Sequence, residues 1–206
     1  EVGPAGTGTG VPRWWPQPRD NDQVIHDYPT QLRAYPTQLR ADLRDIAERV
    51  ARSAGDIIRS GPNVRSVVTT KSSAVDPVTE MDLAVERYIR SELARIRPED
   101  GMLGEEAGFE PGESGITWVV DPIDGTVNYL YGLPDYAVSI AAVAGPPEPE
   151  TWTGLAGCVH EVITARSWVA AAGLGASFDG SPVIPAEPRP LSRSLVGTGF
   201  GYLQAR

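Results

Sequence analysis

Trp118-Val119-Val120-Asp121-Pro122-Ile123-Asp124-Gly125-Thr126-Val127-Asn128-Tyr129 is the stretch on which the reading of this sequence turns. It continues the apolar, partly β-branched run Ile116–Val120, which predicts a short buried strand. Asp121 is expected to leave from the carboxyl edge of that strand, where α/β sheets place their ligands. Pro122 fixes the turn, and Asp124 follows closely enough for a tight turn to aim both carboxylates at one point. Gly125 permits close backbone approach, and Thr126 offers a hydroxyl at the start of a predicted helix. Oxygen donors of this kind suit a hard cation such as Mg2+. The sequence has no cysteine or histidine cluster of the sort that zinc prefers. An isolated Asp-x-x-Asp-Gly would more simply be a pair of turn formers, so the neighbouring segments decide.

Upstream, two apolar periodicities predict helices. Leu39, Leu43, Ile46, Val50, Ala54 and Ile57 recur every three or four residues from about Thr37, with Pro36 suited to the start and Gly61-Pro62 to the end. Met81, Val85, Ile89, Leu93 and Ile96 mark a second helix over Glu80–Ile96, closed by Pro98. Thr79 and Asp82 are placed to cap and charge its start. Downstream, Tyr136–Ala144 reads as a strand, and Thr153–His160 with Val162–Ala171 as a hairpin-like pair. Gly173–Gly180 is a turn-rich connection, Pro185–Pro190 a loop, and Ser194–Gly199 a further strand. Helices followed by many strands imply an α/β (α+β layered) protein with a mixed sheet.

Residues 1–36 read as a low-complexity, disordered leader ahead of a single domain over 37–206. The heptapeptide Tyr-Pro-Thr-Gln-Leu-Arg-Ala occurs at 28–34 and again at 35–41. Two copies do not make a coiled coil, and Pro36 would break a helix running through both. Net charge is −9 and the pI near 4.7, which disfavours nucleic-acid binding. An acidic protein can still take an anionic substrate where metal ions reverse the local field. Cys158 is the only cysteine, which suits a reducing, cytoplasmic setting. No stretch approaches the ~20 apolar residues of a membrane span.

The Asp121–Asn128 segment resembles the signature of the inositol monophosphatase family. Gly104-Glu105-Glu106 is similar to the family's upstream acidic pair, and Asp76-x-Val-Thr-x-x-Asp82 to its earlier acidic element. The likeness runs over roughly residues 39–202. It implies an αβαβα-type sandwich of the inositol monophosphatase/sugar phosphatase fold, and Mg2+-dependent hydrolysis of a small phosphorylated metabolite. Two or three Mg2+ ions would be held by Glu105, Asp121, the carbonyl of Ile123, Asp124 and Thr126. Glu105 and Thr126 would position the attacking water, with Asp76 orienting the Thr126 hydroxyl. Asp124, Gly125, Thr126 and Lys71 would contact the phosphate, while Glu106 is either a supporting group or an exposed acid. His26 and His160 have no partner pattern and are read as non-catalytic.

An inositol monophosphate is the first candidate substrate, then histidinol phosphate, then fructose 1,6-bisphosphate or a 3′-phosphoadenosine nucleotide. A non-catalytic member of the family is the competing reading. The resemblance also implies a homodimer, by analogy alone. The family pattern continues to a Trp-Asp-x-Ala-Ala-Gly-like segment that is absent here. The expectation is therefore a fold incomplete at its carboxyl end, with poor or no activity for the 206 residues by themselves.

Overall fold

The computed structural model describes residues 32–61, 67–70, 77–145, 151–184, 187 and 190–197. Helix α1 spans Thr37–Ser60 and begins directly after Pro36, whose missing N–H costs nothing at a helix start. The two heptapeptide copies take different forms. Leu32–Ala34 of the first makes a 3-10 turn, whereas the second enters α1, and Leu32 and Tyr35 pack against the core. The remainder of the expected leader, 1–31, lies outside the described residues. A short pair, β1 (Val67–Thr70) with β2 (Pro77–Thr79), precedes helix α2 (Glu80–Ile96).

The main sheet has eight strands: β3 (Gly101–Gly104), β4 (Gly108–Glu110), β5 (Ile116–Asp124), β6 (Ala137–Ala144), β7 (Thr153–Glu161), β8 (Arg166–Ala171), β9 (Gly175–Phe178) and β10 (Ser181–Val183). Their spatial order is β10-β9-β8-β7-β6-β5-β3-β4, and among the described strands only the neighbours β3 and β5 run parallel. A one-turn helix, α3 (Thr126–Tyr131), follows β5. The layered mixed-sheet expectation is met in one helical layer and one sheet. Helix α1 lies across β6, β7 and β8, while α2 packs beside it against β5.

Burial alternates along the strands as a one-sided sheet requires. Val138, Ile140 and Ala142 of β6 face the helices, as do Leu155 of β7 and Val169 of β8, and meet Leu43, Ala47, Val50 and Ala54 of α1. The opposite face is more open, with Val159 and Trp168 about 41% and 42% exposed. Polar ties reinforce the docking of α1. Arg59 Nη1 donates to Val162 O at 2.8 Å, Arg52 Nη1 to Ala165 O at 3.2 Å, and Arg40 to Ala172 O.

Several strand boundaries differ from the sequence reading. β5 does not end at Val120 but carries on to Asp124, with a register break opposite β6 between Asp121 and Asp124. β7 and β8 do form a hairpin, yet Val162–Ala165 is its turn, with Ala165 at φ 56°. The 173–180 connection contains β9. The strand expected at Ser194–Gly199 is absent over its described part: a 3-10 turn at Leu191–Arg193 leads into irregular chain at 194–197. Pro190 precedes that turn, and Leu195 is fully exposed with no sheet edge beside it.

Cys158, His160 and Ser167 form a buried polar patch under α1. His160 Nδ1 lies 2.9 Å from Ser167 Oγ, while Nε2 faces Gly55 and has no hydrogen-bond partner among the described residues. Burial pushes the Cys158 thiol up to about 12, so it behaves as an inert core residue. Burial also lowers the His160 pKa, helped by Arg52 and Arg59, which favours the neutral ring.

Two outcomes follow from this patch. A Cβ at Gly55 would sit 2.5 Å from His160 Cδ2. Gly55→Ala should therefore destabilise the fold by about 1–3 kcal/mol in urea titration, through overpacking. It should do so even though Ala is the better helix former by about 1 kcal/mol; a stabilised variant would mean the ring moves aside freely. The unfolded chain takes up a proton on His160 below about pH 6.5 while the folded chain does not, so stability should fall as pH drops through that value. His160→Gln should remove that component of the pH dependence, and an unchanged profile would refute it.

Candidate active site

Two parallel strands bring the acidic segments together. In the β3–β5 pair Gly104 stands opposite Val120, and the ladder extends one step further because Glu105 N donates to Val120 O at 3.1 Å. Glu105 thus follows the carboxyl end of β3, and Asp121 the last residue of β5 that pairs with it, which is where α/β sheets collect functional groups. Both line one cleft of about 410 Å³, together with Leu103, Gly104, Val120 and Ser139.

The turn after Val120 is locked by its own side chains. Asp121 Oδ1 accepts from Ile123 N at 3.1 Å, while Pro122 and Ile123 are buried. Gly125 adopts φ 97°, and a Cβ there would meet Asp135 O at 2.9 Å, so the position requires glycine. Asn128 Nδ2 closes the far side by donating to Asp135 O at 2.7 Å. Asp124 and Gly125 line a second cleft of about 300 Å³, with Asn128, Asp135, Glu161 and Trp168. Asp121 thus lines the first cleft, and Asp124 with Gly125 the second.

Thr126 is held by two acceptors. Its Oγ1 lies 3.0 Å from Ile123 O and 3.2 Å from Asp82 Oδ1. A hydroxyl has one proton, so that proton is committed to these oxygens and the remaining lone pairs stay available as acceptors. Asp82 also completes a capping box. Its Oδ2 accepts from Thr79 N at 2.9 Å and from the Thr79 hydroxyl, while Asp82 N donates to Thr79 Oγ1 at 3.3 Å. Burial pushes the Asp82 carboxyl above its ordinary value, against hydrogen bonds from Thr79 and Thr126 that favour the charged form.

The sequence assigned the orientation of Thr126 to Asp76, which lies outside the described residues, as does Lys71. Within the described residues the carboxylate partner of Thr126 is Asp82, so the capping residue has a second task. Glu86 was missed altogether. It is 2% exposed, accepts from Glu106 N at 2.7 Å and Ala107 N at 3.0 Å, and pairs with Arg90 at 3.1 Å. The signal for it was a carboxylate set beside the apolar stripe of α2, one helical turn after Asp82. Glu106 is half-buried and its backbone N–H is taken by Glu86, while His160 is buried beneath α1 as a non-catalytic residue would be.

The donors brought together around the turn are carboxylate, carbonyl and hydroxyl oxygens, chemistry that fits a hard cation. Among the described residues, no three of Asp, Glu, His and Cys stand close enough to hold an ion by themselves.

The family model described as the inositol monophosphatase family matches residues 39–206. An inositol-1-monophosphatase of Mycobacterium leprae is 40% identical over 183 residues, 80% of this chain and 61% of that relative. A Nus factor SuhB of Pseudomonas aeruginosa is 35% identical over 163 residues, 77% of this chain and 58% of the relative. The chain thus spans about three fifths of the length of these curated relatives. Among solved structures, an inositol monophosphatase (IMPase) of Thermotoga maritima superimposes with TM-score 0.61 at 30% identity, covering 69% of this chain and 53% of that one.

The double role of Asp82 separates two variants. Thr79→Ala should cost about 0.5–2 kcal/mol in urea titration, the ordinary loss of a helix cap. Asp82→Ala should cost more, because it leaves the buried Thr79 donors unmatched at about 1–3 kcal/mol each and takes from Thr126 one of its two acceptors. Equal losses would show that the Thr126 contact contributes nothing.

Proposed function

This chain belongs to the inositol monophosphatase family, and from that premise we propose that it carries the water-activating half of a Mg2+-dependent phosphatase for small phosphate monoesters, an inositol monophosphate first among them. The observation that supports this best is the Asp82–Thr126–Ile123 hydrogen-bond chain, joined through Ile123 N to Asp121, which lines a cleft with Glu105. Turn formation alone would not require a buried carboxylate on a neighbouring helix to fix a threonine hydroxyl.

The metal ligands in this reading are Glu105, Asp121, the Ile123 carbonyl, Asp124 and Thr126. Bound Mg2+ would polarise the phosphate, lower the pKa of a water and offset the chain's net charge of −9 against an anionic substrate. Thr126, its proton committed to Asp82 and Ile123 O, accepts a hydrogen bond from the attacking water and so aims the water oxygen. Glu105 takes the water's proton as general base. The new bond forms between water oxygen and phosphorus as the ester P–O bond breaks, and the leaving alkoxide takes a proton from solvent water to become the alcohol. Backbone N–H groups at Gly125 and Thr126 hold the phosphate in this reading; Lys71 as a further phosphate contact and Asp76 as a partner of the Thr126 hydroxyl rest on the family resemblance alone. The mature site sits in the cytoplasm, where the lone thiol stays reduced.

The likeness to a Nus factor supports a second reading, in which the fold serves a protein assembly rather than turnover. Net charge −9 weighs against this chain gripping a nucleic-acid backbone directly.

Phosphate release should be measured with Mg2+ on inositol 1-phosphate, histidinol phosphate, fructose 1,6-bisphosphate and 3′-phosphoadenosine 5′-phosphate. The assay compares this chain with a version lengthened to the span of its relatives. Release that chelation abolishes is the expected result. Asp124→Asn should lower it at least about a hundredfold, since even groups that only support a metal ligand cost 10–100-fold. Silence from both folded proteins across all four esters would sink the phosphatase reading and favour the assembly role.

A further inference from the structure

The β3–β4 turn that carries Glu105 has a backbone ladder of its own, closed by Gly104 opposite Gly108. It does not need a side chain from another element to exist as a hairpin. One is nevertheless inserted. Glu86, on the buried face of α2, reaches under the turn and accepts the N–H of Glu106 at 2.7 Å on one oxygen and of Ala107 at 3.0 Å on the other. Gly104 makes room for it: a Cβ there would lie 2.2 Å from Glu86 Oε1 and 2.4 Å from its carboxyl carbon. Arg90, one turn further along α2, grips the outgoing strand. Its Nη2 bonds Glu86 Oε1 at 3.1 Å and Gly108 O at 3.3 Å, and Nη1 bonds Glu110 at 3.0 Å.

We infer that Glu86 is a positioning residue for the reaction, fixing the peptide planes at Glu106 and Ala107 so that the side chain of Glu105 is held towards Asp121. This rests on the phosphatase reading above. Glu86 touches neither substrate nor metal in that scheme and acts through Glu105. A buried carboxylate contributes little to stability compared with a packed apolar residue. Its two amide bonds instead orient a group, as the supporting partners of metal ligands do. Asp82 does the equivalent for Thr126 from one helical turn earlier, so α2 sets both halves of the site.

Glu86→Gln decides the matter, since glutamine keeps the shape but puts an NH2 against one of the two N–H groups. Two quantities are read: deuterium exchange at the Glu106 and Ala107 amides, and the Mg2+ concentration giving half of the full thermal-stability increment. Where phosphate is released, its Mg2+ half-point is read as well. The variant should keep its helical circular dichroism, exchange at least about tenfold faster at those amides, and need about tenfold more Mg2+. Glu110→Gln, which loses only an exposed ion pair, should match wild type in both. Unchanged exchange in Glu86→Gln, or faster exchange with an unchanged Mg2+ half-point, overturns the positioning role. Should Glu86→Gln fail to fold, Glu86→Asp, too short to reach both amides, is judged by the same two readings. A wild-type chain with no response to Mg2+ overturns the phosphatase reading itself, whatever Glu86 does.

Discussion

Two carboxylates one turn apart on a buried helix face are the constraint around which this fold is arranged. Asp82 and Glu86 are 1% and 2% exposed, and like charges at that spacing repel. Neither can remain there without donors aimed at it. The donors come from the three segments that surround the site: the Thr79 cap, the Thr126 hydroxyl, and the 106–107 amides with Arg90. Satisfying the helix therefore arranges the loops. The arrangement is mutual, since each loop loses its anchor if the helix is displaced.

The parallel β3–β5 pair supplies the second requirement. Every other pairing in the main sheet is antiparallel, and an antiparallel neighbour would have sent Glu105 and Asp121 to opposite ends. The crossover is short because α2 precedes β3 rather than joining β3 to β5, and the connection runs instead through the β4 hairpin. Asp100 secures the start of this region. It accepts from Ser114 Oγ and Trp118 Nε1 and pairs with Arg97, which fixes the beginnings of β3 and β5 together.

Both long helices were legible because their apolar periodicity is strong and their ends carry Pro36, Gly61 and the Thr79–Asp82 cap. The family and the acidic segments were legible from the Asp121–Asn128 signature. What could not be read was whatever depends on distant partners. β5 runs through Pro122 because β6 pairs again at Asp124, and no local pattern announces that. Strands β3, β4, β9 and β10 are three or four residues long, too short for a period to show. The bond between Glu86 and the 106–107 amides joins residues twenty apart, so only the folded chain displays it. For Thr126 the sequence pointed to Asp76, which lies outside the described residues; among the described residues Asp82 holds the hydroxyl.

The repeated heptapeptide has a consequence of a different kind. Residues 28–34 and 35–41 are identical, so losing either copy leaves one and the same sequence running from Asp27 to Asp42. In the folded chain the second copy is the mouth of α1, and the described end of the first, Leu32–Ala34, is a 3-10 turn leading into it. A strand-slippage event in the gene that dropped one unit would thus leave the helix start, its Pro36 equivalent and the Tyr35 equivalent where they are. Among the described residues, what goes is the Leu32–Ala34 turn, with the packing of Leu32 and the bond from Tyr35 N to Leu32 O. The duplication makes the entrance to α1 a replaceable cassette, since one copy of the heptapeptide is enough to write it.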